Sequence, residues 1–279
     1  MTTTLRPTGP LQHETDGARS RSYEVCVNSR PVGTIEIATY PALSATAGTI
    51  RSLHIDEADR RRGRGTVAAL AAEEVLRGWG CTQVRVCVPP EAAAATRLAT
   101  ALGYTERSRN MIKELPEQPP ALPAHVEGRP MTEAEFQPWL ATAIETYAQS
   151  WRERGVPADD ARAKSQADYR SILPDGLASP GTRISVLVQE GVAVGHLFVG
   201  RREVRPGEIG AFVYDVEVAE GQRGQGHGRS LMLLAEHVAL DAGLRLLGLH
   251  VFADNTPAVR LYESLGYGTT AVNSFKQLL

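Results

Sequence analysis

Three stretches in the second half of the chain, 183–189, 192–201 and 209–218, alternate apolar with polar residues or are rich in β-branched ones. Successive side chains on a strand point to opposite faces, so this pattern predicts strands. A helix over 226–242 follows, then a strand over 246–252, a short helix over 257–265 and a closing strand to Leu278. Upstream, Thr132 and Glu135 have the spacing of a capping box and predict a helix to about Gln149. Pro157 can open a second helix, and Leu173-Pro174-Asp175-Gly176 breaks it. An antiparallel front followed by a βαβ rear predicts an α+β fold, with a mixed, mostly antiparallel sheet flanked by helices.

The chain also repeats itself. Leu102-Gly103-Tyr104, followed by Asn110, Lys113 and Leu115, recurs as Leu265-Gly266-Tyr267, followed by Asn273, Lys276 and Leu278. Every pair is 163 positions apart. The same offset carries Arg60, Gly63 and Gly65 onto Arg223, Gly226 and Gly228, and Glu73 onto Glu236, without a gap from Ala47 to Leu115. Two copies of one unit are therefore predicted, over about 22–116 and 127–279. A Pro-rich linker at 117–126 separates them, and residues 1–21 read as a flexible arm. The first copy lacks room for the two leading helices of the second.

Composition narrows the function classes. Lys plus Arg is 30 and Asp plus Glu is 32, a net charge of −2, which argues against a nucleic-acid partner. No apolar run of transmembrane length occurs, and the first 22 residues lack the core of a signal peptide, so a cytoplasmic protein is expected. Three cysteines without a CxxC give neither a disulfide framework nor a metal cluster, and no metal is expected.

The sharpest chemical signal is Gln222-Arg223-Gly224-Gln225-Gly226-His227-Gly228-Arg229, placed between a strand and a helix. Glycines let a backbone take positive φ and approach a ligand closely. Amide N–H groups at a helix start bind anions, so a phosphate or pyrophosphate is the natural guest. Neither a Walker loop nor a dinucleotide fingerprint fits the spacing. Arg223-x-x-Gly226-x-Gly228 does fit the pyrophosphate loop of the GNAT acyltransferase superfamily, which it resembles. Asn255, Ala258, Tyr262 and Leu265-Gly266-Tyr267, after the strand at 247–252, resemble the same family's second motif.

The resemblance implies an N-acetyltransferase that uses acetyl-CoA as co-substrate and acts on a small-molecule or peptide amine. It implies that the strand before the glycine turn splays from its neighbour, so that Val216 and Val218 contact the thioester and pantetheine. Arg223, Gly224, Gln225, Gly226, His227, Gly228 and Arg229 would hold the pyrophosphate, with Asn255 and Ala258 on the pantetheine arm. Asn255 reads equally as a helix cap. Tyr262 occupies the position of the general acid that protonates the leaving thiolate. Asp215 and Glu217 share one face of their strand and are both candidates for the base that deprotonates the amine. Glu145 and Tyr147 are candidates for the amine pocket, and His250 reads as structural.

The first copy keeps Ile55, Arg60, Gly63, Arg64 and Gly65 as a second candidate CoA site, but Ala92 stands for Asn255 and Ala99 for Tyr262. Alanine cannot donate a proton, so turnover is expected in the second copy alone. The copies are expected to pair as a pseudo-dimer within a monomeric chain. Two rival readings stand: a catalytically silent CoA-binding or protein-interaction module, and a mycothiol-synthase-like enzyme acetylating a thiol–sugar conjugate.

Overall fold

The computed structural model describes residues 2–41, 44, 46–153 and 156–278. The first copy runs β1 (Thr3–Pro7), β2 (Gln12–His13), β3 (Arg19–Val27), β4 (Arg30–Thr39), β5 (Ala47–Ile55), α1 (Arg64–Gly78), β6 (Gln83–Val88), α2 (Ala93–Ala101) and β7 (Thr105–Glu114). The second runs β8 (Val126–Pro130), α3 (Glu133–Arg152), α4 (Ala158–Ile172), β9 (Thr182–Gln189), β10 (Val192–Arg205), β11 (Glu208–Val218), α5 (His227–Asp241), β12 (Leu246–Phe252), α6 (Thr256–Ser264) and β13 (Gly268–Gln277). The α+β class and the two repeats expected from the sequence are present.

The arm expected over residues 1–21 is not loose over its described part, residues 2–21. Strand β1 pairs antiparallel with β3, placing Leu5 opposite Val25 and Arg6 opposite Glu24. Leu5 packs on the apolar core, and Arg6 and Glu24 form an ion pair at 2.5 Å. Five polar-rich residues carry little strand signal alone, and their order comes from the ladder and apolar wall that β3 supplies. Strand β8, at the edge of the expected linker, pairs with β9 in the same way.

The chain folds into two compact units that are not contiguous stretches. One contains Met1–Asn110, Phe252–Asp254 and Thr269–Leu279, the other Met111–Val251 and Asn255–Gly268. Within the first unit the strand order is β1-β3-β4-β5-β6-β13, and β13 pairs antiparallel with β6 from Val272↔Val88 to Gln277↔Gln83. Within the second, the end of β7 lies beside β12, followed by β11, β10, β9 and β8. The second copy therefore lends its closing strand, and the first copy the end of its own, to the other copy's unit. The repeat explains why this works, because the two closing strands carry matching chemistry. Lys276 reaches Glu73 at 2.6 Å, and its sequence counterpart Lys113 reaches Glu236 at 2.5 Å. Glu236 is fully buried and Glu73 nearly so, so each carboxylate needs its lysine.

Each unit has its own apolar core. Val25, Val32, Ile35, Ile37, Leu76 and Val84 lie at the centre of the first. In the second, Leu197, Leu231, Met232, Ala235 and Leu247 fill the space between the sheet and α5. A further cluster, with Phe136, Trp139, Val186 and Phe198, seats α3 and α4 on the opposite face of that sheet.

Candidate active site

Strand β11 leaves its neighbour part-way along its length. Parallel pairing with β12 covers Ala211↔Leu247, Phe212↔Gly248 and Val213↔Leu249. On the other edge, β10 continues to pair with β11 as far as Gly195↔Val218, across an irregularity at Tyr214. Residues 214–218 are thus held on one edge and parted from β12 on the other. An extra residue in one strand increases the local twist and bend, which accounts for the parting.

A groove of about 300 Å³ opens there. Of the residues singled out in the sequence, Val216, Val218, Arg223, Gly224, Gly226, His227, Gly228, Asn255, Ala258 and Tyr262 line it together, and Met232, Pro257 and Leu261 add apolar wall. Gln225 and Arg229 do not line it. Gln225 is bonded to Gln222 at 3.3 Å, and Arg229 donates to the Ser264 hydroxyl at 2.7 Å.

At the groove's polar end, Gly224 and Gly226 have φ of +80° and +88°. A side chain at either position would meet no atom within 4 Å, so glycine is demanded by the backbone shape rather than by crowding. Gly226 caps α5 in the left-handed conformation, which aims the first amides of the helix at the space above the turn. Arg223 is tied by its Nε to the Val218 carbonyl at 3.3 Å, and its Nη2 lies 3.6 Å from Glu217. His227 is buried, and its Nε2 has no hydrogen-bond partner among the described residues. Open backbone donors at a helix start, a flanking guanidinium and space above the turn suit a pyrophosphate.

At the other end stands Tyr262, 7% exposed, its ring 5.9 Å from that of Tyr267. Burial pushes its phenol up to about 12, and the charge of Asp215 adds to the shift. The group is therefore an O–H donor at neutral pH. Asn255 Oδ1 accepts from the Ala258 N–H at 3.2 Å, so this side chain caps α6.

The carboxylates lie on the opposite face of β11, Asp215 against α3 and α4 and Glu217 exposed beyond it. Asp215 Oδ2 accepts from Trp139 Nε1 at 3.3 Å and is 2.8 Å from His196 Nε2. His196 lies across the ladder from Glu217, whose Oε2 is 3.9 Å from the same ring nitrogen. Trp139 packs edge-on against His196, Phe198 and Tyr169. Burial raises the Tyr169 phenol, and Asp215 again adds to it. Sequence reading missed His196 and Trp139. Their only signal was position: His196 lies on the strand before Asp215, and register alone brings them together. Glu145 is exposed and paired with Arg152 at 2.5 Å, whereas Tyr147 donates to Asp168 at 3.2 Å and packs on Trp151 and Tyr169. His250 is exposed on β12.

The first copy repeats the backbone of this site. Strands β5 and β6 pair from Ala47↔Gln83 to Ile50↔Val86 and then part, with an irregularity at Arg51, the counterpart of Tyr214. Arg60 Nε donates to the Ile55 carbonyl at 2.8 Å, and Gly63 caps α1 with φ of +71°. The side chains differ. Arg64, expected on an anion there, instead turns inward and pairs with Asp59, which Arg30 also grips at 2.8 Å. Arg64 and Asp59 are 6% and 4% exposed, so each charge has lost its water and would be costly to leave without the other.

Among the described residues, no cluster of His, Cys, Asp or Glu is placed to hold a metal, and no helix is long and apolar enough to cross a membrane.

The model of the acetyltransferase (GNAT) family matches the chain twice, over residues 3–104 and 140–267. An uncharacterised N-acetyltransferase of Bacillus subtilis, YycN, is 32% identical over 151 residues, covering 53% of this chain and 96% of the relative. A mycothiol acetyltransferase of Thermomonospora curvata is 30% identical over 237 residues, covering 83% of this chain and 74% of the relative. Among solved structures, a GCN5-related N-acetyltransferase from Sphaerobacter thermophilus shares the fold, with a TM-score of 0.59 at 19% identity over 92% of this chain and 80% of that one.

Proposed function

The chain belongs to the GNAT acetyltransferase family as a tandem N-acetyltransferase, and from that premise we propose that it moves an acetyl group from acetyl-CoA to a primary amine, in the copy at 127–279. The observation that carries this reading is the groove where β11 parts from β12, with the glycine turn at one end and Tyr262 at the other.

The pyrophosphate would rest on the turn at Gly224 and Gly226 and on the first amides of α5, beside Arg223. Val216 and Val218 would offer backbone N–H groups to the pantetheine and the thioester oxygen. One such donor, preorganised for the oxyanion, is worth ~3 kcal/mol. Asn255 lines the groove with its Oδ1 used in capping, so its Nδ2 group would be the part offered to the pantetheine arm. The amine would approach from the face that carries Asp215 and Glu217, where a basic side chain accepts its proton, because an ammonium has no lone pair. Attack forms the C–N bond, the C–S bond breaks, and Tyr262 protonates the departing thiolate.

Titration calorimetry with acetyl-CoA, followed by a panel of primary amines, tests this. One equivalent bound and an acetylated amine are expected; no binding at high acetyl-CoA overturns the proposal. A second reading has one observation in its favour: the mycothiol acetyltransferase relative spans both copies. The acceptor would then be the amine of a thiol–sugar conjugate, and a cysteinyl amino sugar belongs in the panel.

A further inference from the structure

The acceptor face of β11 holds a histidine that the reading above leaves without a role. His196 and Glu217 oppose each other across the ladder, as do Phe198 and Asp215, so all four side chains share one face of the sheet. The imidazole is 21% exposed, packed edge-on against Trp139, and its Nε2 sits 2.8 Å from Asp215 Oδ2. Trp139 Nε1 donates to the same oxygen. Asp215 is thereby fixed by two neighbours, one of them a tryptophan that is 8% exposed. A carboxylate held in this way accepts from Nε2–H and leaves Nδ1 as the ring's acceptor. An aspartate that orients an imidazole, rather than taking the proton itself, is the logic of an Asp–His pair, and Asp215, 29% exposed, is partly buried in that position.

We propose that His196 is the catalytic proton acceptor of the amine and that Asp215 is its positioning residue. This rests on the acetyltransfer reading of the same site. The ammonium gives one proton to Nδ1 of His196, and the imidazolium is balanced by Asp215. The freed lone pair attacks the thioester carbonyl and the C–S bond breaks. The thiolate takes a proton from Tyr262, which is replaced by the second proton of the acylated nitrogen, while His196 returns the first to solvent. The charged and titratable groups around the imidazole are Asp215 and Glu217 on β11, Tyr169 on α4 and Tyr262 on α6, which share the field of Asp215, and Arg223, which faces Glu217.

The experiment uses the full chain, acetyl-CoA, and tyramine, cadaverine, glucosamine and an alanine-amide peptide as acceptors. His196→Ala is expected to lower kcat/KM at pH 7 by 10²-fold or more and to leave acetyl-CoA affinity within twofold. Added imidazole is expected to restore at least tenfold of the loss. The deficit is expected to narrow as pH approaches that of the amine's own deprotonation, where the acceptor arrives as free base. Asp215→Asn is expected to lose less and to gain nothing from imidazole. Retained rate in His196→Ala, or a loss that neither imidazole nor high pH reduces, overturns the assignment. Failure of the wild-type chain to acetylate any acceptor would overturn the acetyltransfer reading, and this one with it.

Discussion

The two copies have nearly the same backbone and different chemistry. Both part their central strands at the same register, beyond Ile50↔Val86 in one and Val213↔Leu249 in the other. Both hold an arginine on the last carbonyl of the parted strand, and both cap the following helix with a left-handed glycine. Yet where the second copy has His196, Asp215, Glu217 and Tyr262, the first has Thr34, Ser52, His54 and Ala99 at matching ladder and repeat positions. The contrast shows that the parted strands and the capped turn are properties of the fold, while the proposed reactivity rests on a few side chains that the fold does not require. The ion pairs that close each unit need both partners for stability, and both copies keep them.

Those shared pairs give the largest test. Lys113→Met leaves the fully buried Glu236 without its cation, and Lys276→Met does the same to Glu73. Removing one partner of a buried pair costs about 3–5 kcal/mol. Chemical denaturation should place both variants in that range, with Lys113→Met worse because its partner is the more enclosed. Two variants of ordinary stability would show that the shared chemistry is not what holds the closing strands.

Tyr262→Phe comes next. Loss of a general acid costs roughly 10²–10⁴-fold in rate. The expected result is a fall in kcat at the low end of that span with acetyl-CoA affinity unchanged, while Ala99→Tyr leaves kcat where it was. Full rate in Tyr262→Phe, together with inactivity after changing Arg60 and Gly63, would reverse the roles of the two copies.

Substituting the capping glycines sharpens the comparison of the two turns. Gly226→Val and Gly63→Val each force a β-branched residue to positive φ, at a cost of about 1–2 kcal/mol. Calorimetry should find acetyl-CoA affinity reduced tenfold or more in the first and unchanged in the second. If Gly63→Val instead removes one of two equivalents, the first copy also holds the donor.

The smallest effects concern α3, which the first copy lacks. Thr132→Ala should cost about 1 kcal/mol by loss of the helix cap. Glu135 lies at about 2 because Arg129 and the Thr132 cap hold its charged form. Its folded value is below the unfolded one, so its contribution is complete above roughly pH 5 and fades as pH falls toward 2. Both side chains of the ion pair are about a third exposed, so the effect is screened. Thermal melts of wild type and Glu135→Gln should differ at pH 6 and converge near pH 2.5.

Much of this molecule is legible in the order of its residues. The offset of 163 residues declared two copies, and periodicity located β9, β10, β11, α5, β12 and α6. The glycine turn and Asn255 to Tyr267 marked the groove's two ends, because a positive φ and a helix start leave local signatures. The rest arises from long-range packing. Strand β1 is ordered by its ladder with β3, which lies about 20 residues away in sequence. Strand β13 and the end of β7 each serve the other copy's unit, a choice that a repeat cannot reveal because its two ends are interchangeable in sequence. His196 meets Asp215 only through the register of β10 on β11, and Arg64 turns from a ligand position to Asp59 only because the fold buries that carboxylate. Such partners are set by long-range pairing and by burial, and neither is written in the local order of residues.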